Sequence, residues 1–574
     1  MLFPQSNAYR YALTLDGVWK FYADKEKKGE REAFYSQFPN DVRDIAVPAS
    51  WNEQYNDLFN FHGWGWYRRE FFVPRGFEGT RVMLRFGAVN TNAKVWVNGV
   101  KVCEHIGNSL PFEADITDVV DYKNENTLTV LADSTLDPWS LPPASLEASE
   151  GRAGFTNSYP AVTYDFYPYG GIHRSVWLCS VPQNHIKDIT VTTNISGTDG
   201  IIKFKVAAHG SVTVSAGGIS VTVKALNGVA NGELVIPNAK LWGIGQPNLY
   251  KTEFVLSDGG QVVDCYSLDV GIRTVKIEGD NFLLNGRPVF FKGFGKHEDF
   301  FITGKGTNNA VNVKDFYLLD WIGANSFRTS HYPYDEQLLS AADRHGFLVI
   351  AETPFVGLNE RMYRDDICDK ALTVIEEMIA RDKNHPSVVM WSLANEPDAS
   401  SPQAEKFFKR MAECARKLDP SRPITYVAHM EPENNVGYKY YDMVCINKYY
   451  GWYLGPGQID ETLDDFRSCI ERFRKAFGKP VILSEFGADA IAGMHTDPPQ
   501  MFSEEFQVEM VTKQYAEIKK LNYCIGAHVW AFADFRANQT TSRIIFNRKG
   551  VFTREREPKM LAHVLRRLWK EKED

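Results

Sequence analysis

The sequence predicts a multidomain protein in which two β-sandwiches precede a (β/α)8 barrel. Three observations lead to this fold class. At 574 residues the chain is too long for a single hydrophobic core. Up to about residue 274, short segments of alternating apolar and polar residues lie between turn residues, which is typical of β-sandwiches. From about residue 275 onward, strand-like apolar runs alternate with helical patterns, which is typical of an α/β barrel.

The predicted first domain covers residues 1–180 and has the pattern of a jelly-roll β-sandwich. Strand-like alternation is clear in Arg81–Phe86 and Lys94–Val97, and Asn98-Gly99 then predicts a tight hairpin turn. The segment Leu136–Tyr169 breaks this rhythm because it is rich in Pro, Gly, Tyr and Asp. Such a long loop is often functional, although a plain irregular connection explains it equally well.

The predicted second domain covers residues 181–274 and is also all-β. Alternating segments recur at Ile186–Val191, Val212–Val214 and Thr252–Leu256. Several short strands in a domain of this size indicate an immunoglobulin-like β-sandwich. The domain contains no cluster of candidate catalytic residues, so we interpret it as a spacer.

The third predicted domain, residues 275–574, repeats a strand and then a helix. Eight such units fit a (β/α)8 barrel, whose active site lies at the C-terminal ends of the strands. A doubly wound open sheet is the competing architecture, but it needs a Gly-rich phosphate-binding loop that Gly293–Lys296 does not match. The predicted strands are Val289–Gly293, Asn325–Thr329, Phe347–Glu352, Val388–Asn395, Ile424–Ala428, Met443–Asn447, Val481–Glu485 and Ile525–Phe532. The clearest helical patterns are Val313–Trp321, Leu372–Lys383, Gln403–Leu418 and Glu505–Lys520.

Composition excludes several functional classes. The net charge of −8 and the absence of a long basic run argue against a nucleic-acid partner. No run of about 18 apolar residues predicts a membrane span. The start of the chain shows no secretory signal, so a cytoplasmic protein is expected. The 8 cysteines are scattered, and neither a metal site nor another cofactor is expected. The 13% aromatic content suits either core packing or the binding of sugar faces.

Two glutamates stand at the ends of apolar runs in the predicted barrel. Glu396 follows the run that begins at Val388 and precedes Pro397, which cannot continue a strand. Glu485 ends the run that begins at Pro480. Carboxylates on two strand ends of one barrel can act as the acid and the opposing carboxylate that cleavage of a glycosidic bond requires. The alternative is that each glutamate is a structural ion-pair partner.

The motifs around these glutamates resemble those of glycoside hydrolase family 2. They are Asn395-Glu396-Pro397, Ser484-Glu485-Phe486-Gly487 and the segment Phe327–Pro333 (FRTSHYP). The resemblance implies the domain order jelly roll, immunoglobulin-like sandwich and barrel. It also implies that Glu396 is the acid/base and Glu485 the nucleophile of a retaining enzyme. Asn395 is expected to hold a sugar 2-hydroxyl or to orient the acid.

The segment after the last barrel strand contains Arg543, Asn547 and Lys549, which could bind the C6 carboxylate of a uronic acid. From the residues alone, an ordinary basic surface loop is the alternative. The Asn-x-Lys pattern, however, resembles the carboxylate-recognition motif of the β-glucuronidases in this family, and so do the sequences around Lys292–Asp299 and Asn447–Tyr453. The resemblance implies an exo-acting β-glucuronidase. The alternatives are a β-galacturonidase or β-galactosidase of the same family, and a non-catalytic carbohydrate-binding protein.

The same resemblance implies roles for further residues. Asp165 and His297 are expected to bind sugar hydroxyls, and Tyr449 to orient the nucleophile. Tyr453 is expected near the carboxylate, and Trp530 is expected to form an apolar floor.

The link Leu358–Ile367 is shorter than the loop that covers small leaving groups in some bacterial relatives. A more open leaving-group side is therefore expected, with tolerance for glucuronate-capped oligosaccharides as well as small conjugates. Relatives are commonly oligomeric, so the resemblance also implies a homo-oligomer, a tetramer or a dimer.

Overall fold

The computed structural model describes residues 2–146 and 158–570. Part of the predicted long loop Leu136–Tyr169 therefore lies outside the described residues. Within them, the structure confirms the predicted fold class: two β-sandwiches are followed by a closed eight-stranded barrel. None of the helices in these residues is long and apolar enough to cross a membrane.

The first domain packs a four-stranded sheet against a six-stranded sheet. The predicted hairpin is confirmed, because Val97 lies opposite Val100 and both turn residues, Asn98 and Gly99, have positive φ angles of 52° and 80°. The four-stranded sheet contains Tyr11–Thr14, Val176–Val181, Arg81–Phe86 and Phe112–Asp115. The six-stranded sheet contains Arg43–Val47, Gly17–Asp24, Trp64–Phe71, Asn126–Asp133, Asn92–Val97 and Val100–Ile106.

The second domain is a sandwich of a three-stranded and a four-stranded sheet. Arg273 docks it on the barrel, because its Nε and Nη2 donate to the carbonyls of Pro386 and Val388 at 3.0 and 2.9 Å. The smaller sheet contains Asp188–Ser196, Asp199–Ala207 and Val229–Ile236. The larger contains Ile219–Lys224, Ser211–Ala216, Tyr250–Asp258 and Gln261–Val270.

The barrel closes with eight parallel strands in chain order. The strands Val388–Asn395 and Ile424–Ala428 have the bounds predicted from the sequence. The first barrel strand begins at Phe291, two residues later than predicted. The reason is that Arg287–Pro288 still pairs with the hairpin strand Asn281–Leu284, and Val289 N–H donates to Phe282 O at 3.0 Å. The barrel strands are Phe291–Gly295, Ser326–Arg328, Leu348–Glu352, Val388–Asn395, Ile424–Ala428, Val444–Asn447, Val481–Phe486 and Cys524–Trp530.

Helices surround the barrel and cover its apolar outer face. The four predicted helices are present with bounds Asn309–Ile322, Asp365–Asp382, Pro402–Leu418 and Glu504–Lys519. Three further helices, which the sequence analysis left without bounds, are Glu336–His345, Leu463–Phe477 and Met560–Lys570.

The first domain is held against the mouth of the barrel by buried charges. Glu53 accepts from Arg536 at 3.1 Å and from Arg554 at 3.0 Å, and the side chains of all three residues are almost fully buried. The end of the long first-domain loop joins the same contact, since Tyr167 N–H donates to Arg536 O at 3.1 Å. The loop residue Asp165 is thereby positioned over the C-terminal ends of the barrel strands.

Candidate active site

A cavity of about 790 Å³ opens at the C-terminal ends of the barrel strands. It is bordered by the first-domain loop on one side and by the loops after several barrel strands on the other. Of the predicted site residues, eight border it: Asp165, Asn395, Glu396, Tyr449, Tyr453, Glu485, Trp530 and Arg543.

Glu396 follows barrel strand 4, which is buried along its whole length. It is one of the non-glycine residues with a positive φ angle, 50°, and its N–H donates to Val427 O at 2.8 Å. A non-glycine residue rarely adopts this conformation outside functional positions. The turn directs the chain out of the strand while the side chain stays at the cavity, as the sequence analysis predicted.

Asn447, at the end of barrel strand 6, holds the Glu396 carboxylate. Its Nδ2 donates to Glu396 Oε1 at 2.7 Å and to Asn395 Oδ1 at 3.2 Å. The hydroxyl of Ser484 donates to Asn447 Oδ1 at 3.0 Å and so fixes the orientation of the amide. No separate role for Asn447 was predicted from the sequence, although the residue begins the motif Asn447–Tyr453.

Glu485 lies within barrel strand 7 and is 4% exposed. The hydroxyl of Tyr449 donates to its Oε2 at 2.6 Å, and Nη2 of Arg328 donates to its Oε1. Both contacts favour the ionised carboxylate and hold it in one orientation. Tyr449 therefore contacts the residue that it was predicted to orient, while the role of Glu485 as the nucleophile stays a prediction.

Arg328 was not assigned a role from the sequence, although it stands in the quoted segment FRTSHYP. It is fully buried, and it connects Glu485 with Glu352, to which its Nη1 donates at 2.7 Å. His331 Nδ1 lies 2.8 Å from the same Glu352 carboxylate. Although burial works to raise the pKa of Glu352, Arg328 and His331 outweigh it and lower that pKa. Glu352 therefore stays ionised and neutralises Arg328 behind Glu485.

The pKa of Glu485 lies above its ordinary value. Burial is the largest cause, and the nearby Glu396 carboxylate adds to it. Arg328, His331 and the Tyr449 hydroxyl oppose the rise. If Glu485 acts as the predicted nucleophile, only its ionised form can attack, so activity should fall as the pH drops through this raised pKa.

Tyr449→Phe should therefore shift the acidic limb of the pH profile of kcat/KM to higher pH. The variant removes a hydrogen bond that favours the ionised form of Glu485, so its pKa should rise further. The profile of the variant is compared with that of the unaltered protein. Tyr440→Phe is the control, because the Tyr440 hydroxyl donates to Glu405 at 2.8 Å and the residue does not border the cavity. A limb at unchanged pH would contradict this account of Glu485.

Trp530 ends barrel strand 8, is 4% exposed and borders the cavity, and its predicted role as an apolar floor for the sugar stays a prediction. Its ring stacks on that of His331 with centroids 5.2 Å apart. His297, in contrast, does not border the cavity. Its ring packs on Phe535 at 4.2 Å and on Phe166 at 5.1 Å, and burial lowers its pKa well below the ordinary value. The predicted contact of His297 with sugar hydroxyls stays a prediction.

The predicted carboxylate-binding residues lie together after barrel strand 8, but only Arg543 borders the cavity. Asn547 and Lys549 are 0% and 1% exposed. The ammonium group of Lys549 pairs with buried Asp489 and donates to the hydroxyl of Tyr453 at 3.0 Å. Burial works to raise the pKa of Asp489, but Lys549 and Arg543 lower it, so the pair is ionic. Asp489 was not predicted from the sequence as part of this group.

Asp165 reaches the site from the first domain, as predicted. Its carboxylate lies on Arg543, with Nε donating at 2.9 and 3.1 Å, and accepts from Asn547 Nδ2 at 3.0 Å. It therefore contacts two of the three residues that were predicted to bind a sugar carboxylate.

Comparison with known families matches the whole architecture. The glycosyl hydrolases family 2 sugar binding domain matches residues 13–182, and a second model of that family matches residues 184–273. The family's TIM barrel domain matches residues 275–573. A curated Beta-glucuronidase of Paenibacillus borealis is 44% identical over 100% of this chain and 99% of its own. The Beta-glucuronidase of Homo sapiens is 38% identical over 99% of this chain and 92% of its own.

Solved structures of β-glucuronidases are similar to this chain as well. The β-D-glucuronidase of Dictyoglomus thermophilum has a TM-score of 0.91 and 40% identity, covering 100% of this chain and 99% of its own. The β-glucuronidase of Ruminococcus gnavus in complex with D-glucuronic acid has a TM-score of 0.92 and 35% identity, covering 99% of each chain. Because the family models, the relatives and the solved structures all span the full length, this chain belongs to glycosyl hydrolases family 2.

Proposed function

We propose that the protein is a retaining exo-β-glucuronidase that hydrolyses terminal β-D-glucuronides. The observation that carries the proposal is a cavity bordered by Glu396, Glu485 and Arg543, with Lys549 directly behind its rim. Two carboxylates suit cleavage of a glycosidic bond, and the cations suit an anionic sugar. The full-length relatives named as β-glucuronidases support the same substrate.

The first chemical step in this proposal forms a covalent intermediate. The Glu485 carboxylate attacks the anomeric carbon while Glu396 donates its proton to the departing glycosidic oxygen. Arg328 and Tyr449 hold Glu485 ionised and oriented through the contacts described above. The neutral leaving group then departs, and the sugar is bound to Glu485 as an ester.

The second step reverses these roles. Glu396, now a carboxylate, takes a proton from a water molecule, and the resulting hydroxide attacks the anomeric carbon. The bond to Glu485 breaks, the carboxylate is restored, and the sugar leaves with its original anomeric configuration. Asn447 supports Glu396 in both states, because its amide can hydrogen-bond to the acid and to the carboxylate.

The leaving-group side supports a range of aglycones. Strand 3 and the helix Asp365–Asp382 are joined without a long covering loop, and the cavity of about 790 Å³ has room beyond one monosaccharide. Thr163, Ser158 and His429 also border the cavity, and their polar groups suit a further sugar. We therefore propose that glucuronate-capped oligosaccharides are accepted together with small conjugates.

A panel of p-nitrophenyl glycosides tests the proposed substrate. Release of nitrophenol from the β-D-glucuronide, with far slower release from the β-D-galacturonide, β-D-galactoside and β-D-glucoside, is the expected result. Faster cleavage of a glucuronate-capped oligosaccharide than of the aryl glucuronide would support the open leaving-group side. Preference for a neutral glycoside would refute the glucuronidase proposal. The predicted homo-oligomer and the cytoplasmic location stay predictions.

Glu396→Ala should lower activity by an amount that depends on the leaving group. Glycosides with a poor leaving group need the proton of Glu396, so their kcat/KM should fall by roughly 10²- to 10⁴-fold. Dinitrophenolate leaves without protonation, so the kcat/KM for dinitrophenyl glucuronide should fall much less. Added azide should speed its turnover and give β-glucuronosyl azide, because azide needs no general base. Equal losses for both substrates would contradict the role of Glu396 as the acid.

A further inference from the structure

Two oxygen-bearing side chains stand between the cavity and the buried donors Asn547 and Lys549. The first is Asp165, whose carboxylate covers Arg543 and accepts from Asn547 Nδ2 at 3.0 Å. The second is Tyr453, whose hydroxyl oxygen lies 2.6 Å from Arg543 Nη2 and 3.0 Å from Lys549 Nζ. A sugar carboxylate therefore cannot reach these donors until Asp165 and Tyr453 move.

The charges of this group are already balanced. Arg543 and Lys549 carry two positive charges, and Asp165 and Asp489 carry two negative charges within hydrogen-bond contact of them. An additional carboxylate would therefore add an uncompensated charge in a mostly buried place, which is costly. Binding of an anionic sugar is favourable only if one of the two resident carboxylates leaves.

Burial indicates which carboxylate can leave. The side chains of Asp489 and Lys549 are each 1% exposed, whereas that of Asp165 is 43% exposed and Tyr453 is 46% exposed. Asp165 and Tyr453 are thus the accessible members of the group and can turn toward the cavity more easily than the buried pair, with Tyr453 giving up its edge contact with Tyr449 at 5.2 Å. Asp489 cannot, because it also accepts from the backbone N–H of Arg548 at 2.7 Å.

We propose that the Asp165 carboxylate occupies the anion site of the free enzyme and that the C6 carboxylate of the substrate exchanges with it. The exchange rests on the proposed function for the identity of the anionic substrate. The incoming carboxylate takes over Arg543 and Asn547, and the released Asp165 accepts hydrogen bonds from the sugar hydroxyls. Tyr453 moves aside in the same event, which gives the carboxylate access to Lys549.

The exchange makes Asp165 a specificity-determining residue. A neutral sugar has no group that can replace the Asp165 carboxylate on Arg543, so Asp165 stays there and contributes nothing to sugar binding. A uronic acid releases Asp165 and then uses it. Asp165 therefore couples recognition of the sugar carboxylate to recognition of the sugar hydroxyls. Its partners in the free enzyme, Arg543 and Asn547, lie at a different position from the hydroxyls that it binds in the complex.

Three probes separate the two roles of Asp165. Acetate carries only the carboxylate, glucose only the hydroxyls, and D-glucuronate both. Their dissociation constants are measured by NMR titration at constant ionic strength for the unaltered protein and for Asp165→Ala. Acetate should bind the variant at least about tenfold more tightly, because no resident carboxylate competes. The affinity for D-glucuronate should increase less than that for acetate, because the variant also lacks the Asp165 carboxylate that accepts from the sugar hydroxyls.

Asp137→Ala is the matched control, since Asp137 is an exposed aspartate on the same loop and does not border the cavity. It should leave the acetate affinity unchanged. Asp165→Asn, which keeps the shape of the side chain, replaces Asp165→Ala if the alanine variant does not fold, and its acetate affinity should rise in the same direction. Equal or weaker acetate binding in the Asp165 variant that folds would overturn the exchange.

Cleavage of p-nitrophenyl β-D-glucuronide by the unaltered protein separates this inference from the proposed function. If the glucuronide is cleaved and acetate binding does not respond to Asp165, only the exchange is wrong. If acetate binding responds but no glucuronide is cleaved, the anion site exists and the proposed substrate is wrong.

Discussion

Glu485→Gln is expected to lower kcat for aryl β-D-glucuronides by roughly 10⁴-fold or more, with little change in substrate binding. Glutamine is almost isosteric with glutamate but cannot attack the anomeric carbon. Its side-chain oxygen can still accept from Arg328 and its neighbours, so the fold should persist. Stopped assays of nitrophenol release measure kcat, and D-glucuronate titration measures binding.

Two comparisons make this result specific. Glu360→Gln changes an exposed glutamate on the link before the helix Asp365–Asp382 and should retain full activity. Glu485→Ala leaves space at the anomeric carbon, so added azide should restore turnover and give α-glucuronosyl azide, with inverted configuration. If Glu485→Gln kept more than a small fraction of the activity, the nucleophile would have to be another residue.

Lys549→Met is expected to lower kcat/KM for the β-D-glucuronide by roughly 10²- to 10³-fold, because it removes a buried cation from the proposed carboxylate site. The kcat/KM for the β-D-glucoside should change little, because a neutral C6 group makes no ion pair. Selectivity, the ratio of the two constants, should therefore collapse. The nitrophenyl panel described above measures both constants for each variant.

The variant also leaves Asp489 buried without its cation, which would destabilise the fold. The double variant Lys549→Met with Asp489→Asn removes that charge and should unfold at a higher temperature than the single variant, with the same loss of selectivity. Arg548→Gln changes a neighbouring cation whose side chain lies 3.7 Å from Asp534 and makes no contact with Tyr453, and it should keep the selectivity. Full glucuronide activity in the double variant would refute the role of Lys549.

Much of the site was predictable because its parts lie at the ends of regular elements. The run Val388–Asn395 is apolar on both faces, as a buried parallel strand requires, so the position of Glu396 followed from the pattern alone. The same reasoning located Glu485. Arg328 was not identified as a partner of Glu485, because an arginine at a strand end has no pattern that reveals its ion-pair partners.

The proposed carboxylate site shows most clearly what could not be predicted from the sequence. Arg543, Asn547 and Lys549 were identified as a group from their spacing and resemblance, but their partners in the free enzyme were not predictable. Asp165 and Arg543 are 378 residues apart in the chain, and they meet only because the first domain is docked on the barrel. Asp489 likewise acquires its role from its contact with Lys549.

By itself, the sequence determined the three-domain order, the strand ends that carry Glu396 and Glu485, and the residue types available for an anionic sugar. These features are local, because apolar periodicity and turn residues act over a few positions of the chain. The tertiary structure alone decided which charges pair, which donors face the cavity and which are covered by Asp165 and Tyr453. Those outcomes depend on distances and burial between distant segments, and Coulomb and hydrogen-bond energies depend on such distances rather than on position in the sequence.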